Sequence, residues 1–205
     1  IRDSAYRVYL VISGASTLFN AMMFTVLTVY YVTVAGLNPL QLVLVGTIME
    51  IATFLFEIPT GIVADTYSRR LSVIIGMFVT GAGFVIVGLS ATFWTIAGGL
   101  AVWGIGSTFI SGAREAWIVD EVGEEQIDVV FMRTAQLRNI AKFVGVFVSV
   151  GLASISLNLP IVLGAVLTML LGVYLIFVMP EMGWSPTPSL SLIHISEPTR
   201  PSTSS

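Results

Sequence analysis

The chain has 205 residues, of which 56% are hydrophobic and only 10% charged, and its formal net charge is −3. A soluble domain carries roughly 25% charged residues, so a mean hydropathy of +0.94 points to a membrane protein, and no basic patch is offered to nucleic acid. The absence of cysteine excludes disulfides, thiolate metal sites and cysteine nucleophiles, and the single histidine, His194, lies in an atypical C-terminal tail, so no metal site, cofactor or catalytic residue is expected.

A membrane-crossing helix needs about 20 mostly apolar residues, and six stretches qualify. The first covers about residues 8–34, interrupted only by neutral polar side chains such as Asn20. It is too long for the apolar core of a cleavable signal peptide. An uncharged turn follows, and Asn38-Pro39 suits a helix start. The second stretch covers about 40–64 and the third about 71–90. A short turn at Ala91-Thr92 leads to the fourth, about 93–119, and then to an acidic segment over 120–128. The fifth, about 130–157, begins amphipathic. Asn158 and Pro160 mark the next turn, and the sixth covers about 161–179. Glycines are dense from the third to the fourth stretch, including Gly76, Gly83, Gly99 and Gly106; such small residues let helices approach closely in lipid.

Arg2, Arg7, Arg69, Arg70, Arg133, Arg138 and Lys142 all fall before the first stretch, between the second and third, or early in the fifth. The other turns carry no Lys or Arg. This bias predicts a cytoplasmic N-terminus, with both ends of the six-helix unit on that side. Residues 1–180 then form one transmembrane domain, and the Pro-rich 181–188 begin a cytoplasmic linker. Residues 189–205 have low apolar content and no helical period. They resemble a translated sequencing-adapter read-through; a disordered linker is the alternative.

The turn between the second and third stretches reads Gly61-Ile62-Val63-Ala64-Asp65-Thr66-Tyr67-Ser68-Arg69-Arg70. Its spacing resembles the G-x-x-x-D-x-x-G-R-R/K loop of the major facilitator superfamily, with Ser68 where glycine is usual. Ser111 to Trp117, Asp120, and Met179-Pro180-Glu181 are similar to drug-efflux-type members. The resemblance covers about residues 5–184. It implies an all-α membrane fold, with six transmembrane helices as two three-helix repeats. It further implies the N-terminal half of a twelve-helix transporter whose substrate path lies between halves, and a C-terminal half as partner.

By that resemblance Asp65 sits against a helix N-terminus of the other half, where a carboxylate gains ~0.3–1 kcal/mol. Arg69 pairs with Asp120, and Gly61, Asp65, Arg69, Arg70 and Asp120 together hold the inner side closed. The alternative is that the arginines only set topology.

Glu50 and Glu57 are seven residues apart on the second helix and share a face. A charge near the bilayer centre costs ~2.5–3.5 kcal/mol on the insertion scale, so Glu50 should face protein or water. It is the candidate proton carrier, with packing as the alternative; Glu57 is expected to pair with Arg114. Arg114 and Glu115 point about 100° apart, so one is expected to pair within the chain and the other to face the cavity. Asn20 is a candidate substrate contact or an interhelical hydrogen bond. Phe19 and Phe24 are candidates for an apolar drug site, and Tyr30 and Tyr31 for an interfacial belt. Two features depart from many drug–proton antiporters: Leu100 stands where an arginine is common, and the fifth helix has no proline.

These readings converge on a secondary transporter, not an enzyme. The resemblance implies export of small amphipathic compounds by alternating access from the inner membrane, with protons as candidate coupling ion. An importer of sugars or organic ions, or a non-transporting membrane scaffold, is the alternative.

Overall fold

The computed structural model describes residues 2–183. The tail over 189–205 and most of the expected linker lie outside the described residues. All regular structure described is helical: α1 (Arg2–Thr33), α2 (Pro39–Thr66), α3 (Arg69–Leu89), α4 (Phe93–Ile110), α5 (Ala113–Val122), a 3-10 turn (Glu124–Gln126), α6 (Ile127–Ala153) and α7 (Leu159–Val178).

The starts of these helices follow from local chemistry. Asn38 caps α2: its side chain accepts from Gln41 N–H at 2.9 Å, and Gln41 Oε1 accepts from Asn38 N–H at 2.9 Å. Two orphan donors are thereby satisfied, with Pro39 at the first helical position, where no N–H is needed. Thr92 caps α4 in the same way through Thr95.

The fourth helix is not continuous, contrary to expectation. Gly112 adopts φ +75, conformational space open to glycine at little cost, and Ala113 N–H donates to Ser111 O at 2.8 Å. The chain is thereby re-aimed, and α5 leaves in its own direction. Earlier in the chain, α2 contains Pro59, which cannot donate to the carbonyl four residues back and so weakens the helix just before Gly61.

Five segments are long and apolar enough to cross a membrane: Ser4–Thr33, Pro39–Thr66, Arg69–Leu89, Phe93–Val122 and Leu159–Val178. At 27 residues, α6 also has the length, about 40 Å at 1.5 Å per residue. It carries Asp128, Arg133 and Arg138 in its first half and Lys142 just past the midpoint, so its apolarity is confined to the stretch after Lys142. The chain is a multi-pass membrane protein.

Packing follows an internal symmetry. The main neighbours are α3 with α4, α1 with α6, α2 with α4, α3 with α7, and α1 with α7. Exchanging α1 with α4, α2 with α6 and α3 with α7 maps this set onto itself. That is the signature of two three-helix repeats, in which α6 pairs with α1 as α2 pairs with α4. The central pair is held at backbone contact: a Cβ on Gly83 would lie 2.6 Å from Gly99 O and 2.7 Å from Trp103 N. Only glycine allows such an approach, and in lipid this packing is the main source of helix association.

The core forms two layers along the bundle. One, around Ala5, Val8, Ala64, Val73, Trp117, Ile118, Leu175 and Met179, lies at the end holding the α2–α3 turn. The other, around Met23, Tyr30, Phe84, Ile96 and Ile161, lies at the opposite end. Burial is uneven: 56% of the apolar window of α3 is buried but only 6% of that of α2. Phe54, Ile58 and Ile62 of α2 and Phe143 and Phe147 of α6 are exposed.

Candidate functional site

The α2–α3 turn gathers charge where three helix ends meet. Arg69, in the first turn of α3, donates through Nη1 to Asp120 Oδ2 near the end of α5. Its Nη2 lies 3.7 Å from Asp65 Oδ1 at the end of α2. The Arg69 and Asp120 side chains are only 19% and 24% exposed, whereas Asp65 is 57% exposed. One guanidinium therefore ties α2, α3 and α5, and leaves part of the Asp65 carboxylate free. Arg70 turns away and donates through Nη2 to Ile176 O of α7. Gly61 is exposed, with open space where a Cβ would be.

A second polar layer, which sequence reasoning missed, clasps the segment after α7. Ser68 caps α3 by accepting from Leu71 N–H at 2.9 Å. Its hydroxyl also lies 2.8 and 2.7 Å from the Glu181 carboxylate oxygens, and Arg70 N–H donates to Glu181 Oε1 at 3.0 Å. Glu181 thus satisfies an orphan donor at the positive end of α3, where a carboxylate is favourable. Glu121, buried at 7% exposure, accepts from Met182 N–H at 2.6 Å and Gly183 N–H at 2.8 Å. Trp117, fully buried, donates through Nε1 to Pro180 O at 2.7 Å. The departure at position 68 therefore has a local use, since glycine offers no hydroxyl. The available signal was an acidic residue directly after Pro180, close enough in sequence to the end of α7 to be held at one bundle end.

Farther along the bundle, a cavity of about 430 Å³ opens between α1, α5 and α6, lined by Thr17, Asn20, Phe24, Arg114, Arg138 and Lys142 among others. Asn20 Nδ2 donates to Ser16 O of the same helix at 2.8 Å, so its hydrogen bond is intrahelical and not between helices. Arg114 does not pair with Glu57. It lies past the Gly112 break, on the side of α1 and α6, and its Nη2 is 3.4 Å from Glu115 Oε1. The two side chains are long enough to meet although they leave the helix about 100° apart. Glu50 and Glu57 are exposed on α2 and form no side-chain ion pair among the described residues. Tyr30 and Tyr31 are not an interfacial belt: they are 2% and 7% exposed, and Tyr30 donates its hydroxyl to Val87 O at 3.1 Å. Phe24 does border the cavity, while Phe19 packs on the core. On sequence alone Arg138 and Lys142 are topology signals only; their spacing of four residues also sets them on one face.

Sequence comparison places the chain in a known family. The sequence model of the Major Facilitator Superfamily matches residues 10–200. An uncharacterized MFS-type transporter of Bacillus subtilis (strain 168), YxaM, is 28% identical over 156 residues, covering 75% of this chain and 38% of that protein. The inner membrane transport protein YajR of Escherichia coli (strain K12) is 29% identical over 170 residues, covering 80% of this chain and 34% of that protein. The chain thus spans less than half the length of these curated relatives. It belongs to the Major Facilitator Superfamily.

Proposed function

We propose that the chain forms the N-terminal half of a transporter that exports small amphipathic compounds by alternating access, and that a second six-helix half completes its cavity. The observation that carries this reading is the Arg69 tie between Asp65 and Asp120, set below a polar cavity that opens on the side of α1 and α6. The sparse burial of α2 and the exposed aromatic face of α6 supply surface for the second half. Half-free Asp65 and open Gly61 are consistent with docking of a helix end from that half. In this reading Gly61, Asp65, Arg69, Arg70 and Asp120 close the inner side while the cavity faces out. Export is supported by the resemblance of Ser111 to Trp117, Asp120 and Met179-Pro180-Glu181 to drug-efflux-type sequences. The name of the E. coli relative supports the inner membrane, and the arginine distribution supports a cytoplasmic N-terminus.

Candidate substrate or proton contacts are Asn20, Glu50, Glu57, Arg114 and Glu115. Glu50, on the exposed face of α2, is the proton-linked group in this reading.

The test is flux in membrane vesicles carrying the full-length protein. Inverted vesicles should accumulate amphipathic fluorescent dyes, and Asp65→Asn should abolish this. Glu50→Gln should alter the pH dependence of flux without moving the gate. Accumulation only in right-side-out vesicles would make the protein an importer, and no flux in either orientation would make it a scaffold. Labelling of Ser68→Cys by an impermeant reagent from outside would overturn the orientation.

A further inference from the structure

The cavity between α1, α5 and α6 holds two cations, Arg138 and Lys142, that neither the gate nor the dye-export reading uses. We infer that it binds the anionic head of an amphipathic organic substrate, with Arg138 and Lys142 as the principal cations. This rests on the transporter reading and adds the charge of the cargo.

Arg138 and Lys142 are four residues apart on α6 and therefore neighbours on one face. Around the same cavity stand Thr17, Asn20 and Phe24 of α1 and Arg114 of α5. Its volume of about 430 Å³ is in the range of small-ligand sites. Neither Arg138 nor Lys142 forms an ion pair among the described residues, while Arg114 has Glu115 at 3.4 Å. Three cations against one carboxylate leave the wall at +2. The Asn20 amide keeps an N–H beyond the one given to Ser16 O, and Thr17 adds a hydroxyl; both can donate to an anionic oxygen.

Depth separates this wall from a headgroup anchor. Asn20 lies 18 residues past the start of α1 and Lys142 15 residues past the start of α6, about 27 Å and about 22 Å along their axes. Charged side chains within a bundle face protein or water and mark substrate paths, and Arg138 and Lys142 line this cavity. Arg133, nearer the start of α6 and outside this cavity, suffices as a topology signal. Phe24 gives the cavity an aromatic edge, and its ring is held from behind by edge-on packing against Phe84 and Trp103, with ring centroids 5.2 Å apart in each case. A ligand with an anionic oxygen group at one end and an apolar ring at the other matches both walls. An organic cation meets repulsion there.

The test uses the full-length protein purified in detergent and titration calorimetry with four probes sharing one ring: 1-naphthoate, 1-naphthyl phosphate, 1-naphthylmethylammonium and 1-naphthylmethanol. At least one anion should bind about tenfold or more tighter than the cation, and the ratio between the two anions separates carboxylate from phosphate cargo. The double variant Arg138→Gln/Lys142→Gln should bring anion and cation to within about threefold, with the neutral probe and the melting temperature unchanged. Arg138→Lys/Lys142→Arg should restore the preference. Anions that bind no tighter than the cation, or a preference that survives the double variant, would overturn the inference. A cysteine replacing Thr17, labelled by an impermeant reagent from each side in turn, reads the transporter assignment separately. Labelling from both sides with no anion preference would defeat only the inference, and labelling from neither side would defeat the transporter reading itself.

Discussion

The α2–α3 turn and the cavity between α1, α5 and α6 are both charged, but they handle charge in opposite ways. At the turn, Arg69, Arg70, Asp120, Glu121 and Glu181 each have a partner within the chain. In the cavity, Arg138 and Lys142 have no ion pair among the described residues. Charges that satisfy one another hold elements together; charges left open across a cavity are available to something that enters it. The same side-chain types thus serve closure at one level and recognition at another.

The sharpest way to break this contrast is to open the turn. Arg69→Ala leaves Asp120 partly buried without its donor, and a charge-assisted bond of this kind is worth about 1.5–3 kcal/mol. In the full-length protein the inward-open population should rise about tenfold or more, read as spin-label distances across that end of the bundle. Glu121→Ala should come next: it strips the acceptor from two backbone N–H groups, at about 1–3 kcal/mol. Hydrogen exchange at Met182 and Gly183 should then lose protection. Ser68→Ala removes the cap of α3 and a bond to Glu181, lowering stability by about 0.5–2 kcal/mol, visible as a lower melting temperature. The smallest effect belongs to the cavity. Arg138→Gln or Lys142→Gln alone should change stability by no more than about 0.5 kcal/mol, because neither side chain holds another in place. A large loss of melting temperature there would erase the distinction between the two regions.

Much of the fold was legible because membrane spans announce themselves by length and apolarity, and the Asn38-Pro39 start followed from cap chemistry. The break at Gly112 was not, because a glycine among many small residues does not reveal its φ. The pairing of Arg69 with Asp120 was implied by the family resemblance, whereas Glu181 lies 113 positions from Ser68, and no local pattern links them. Glu57 was assigned to Arg114 on depth alone; the re-aimed α5 carries Arg114 to the other side of the bundle. Tyr30 and Tyr31 looked interfacial from their place near a helix end, yet tertiary packing buries both.

The most direct test of the closure account is a double-mutant cycle on Arg69 and Asp120 in the full-length protein, with gate distance as readout. If the pair acts as one tie, Arg69→Ala and Asp120→Ala each shift the protein toward inward-open, and the double variant shifts it no further than the worse single. Additive shifts, or no shift from either, would show that Arg69 sets topology and does not hold the gate.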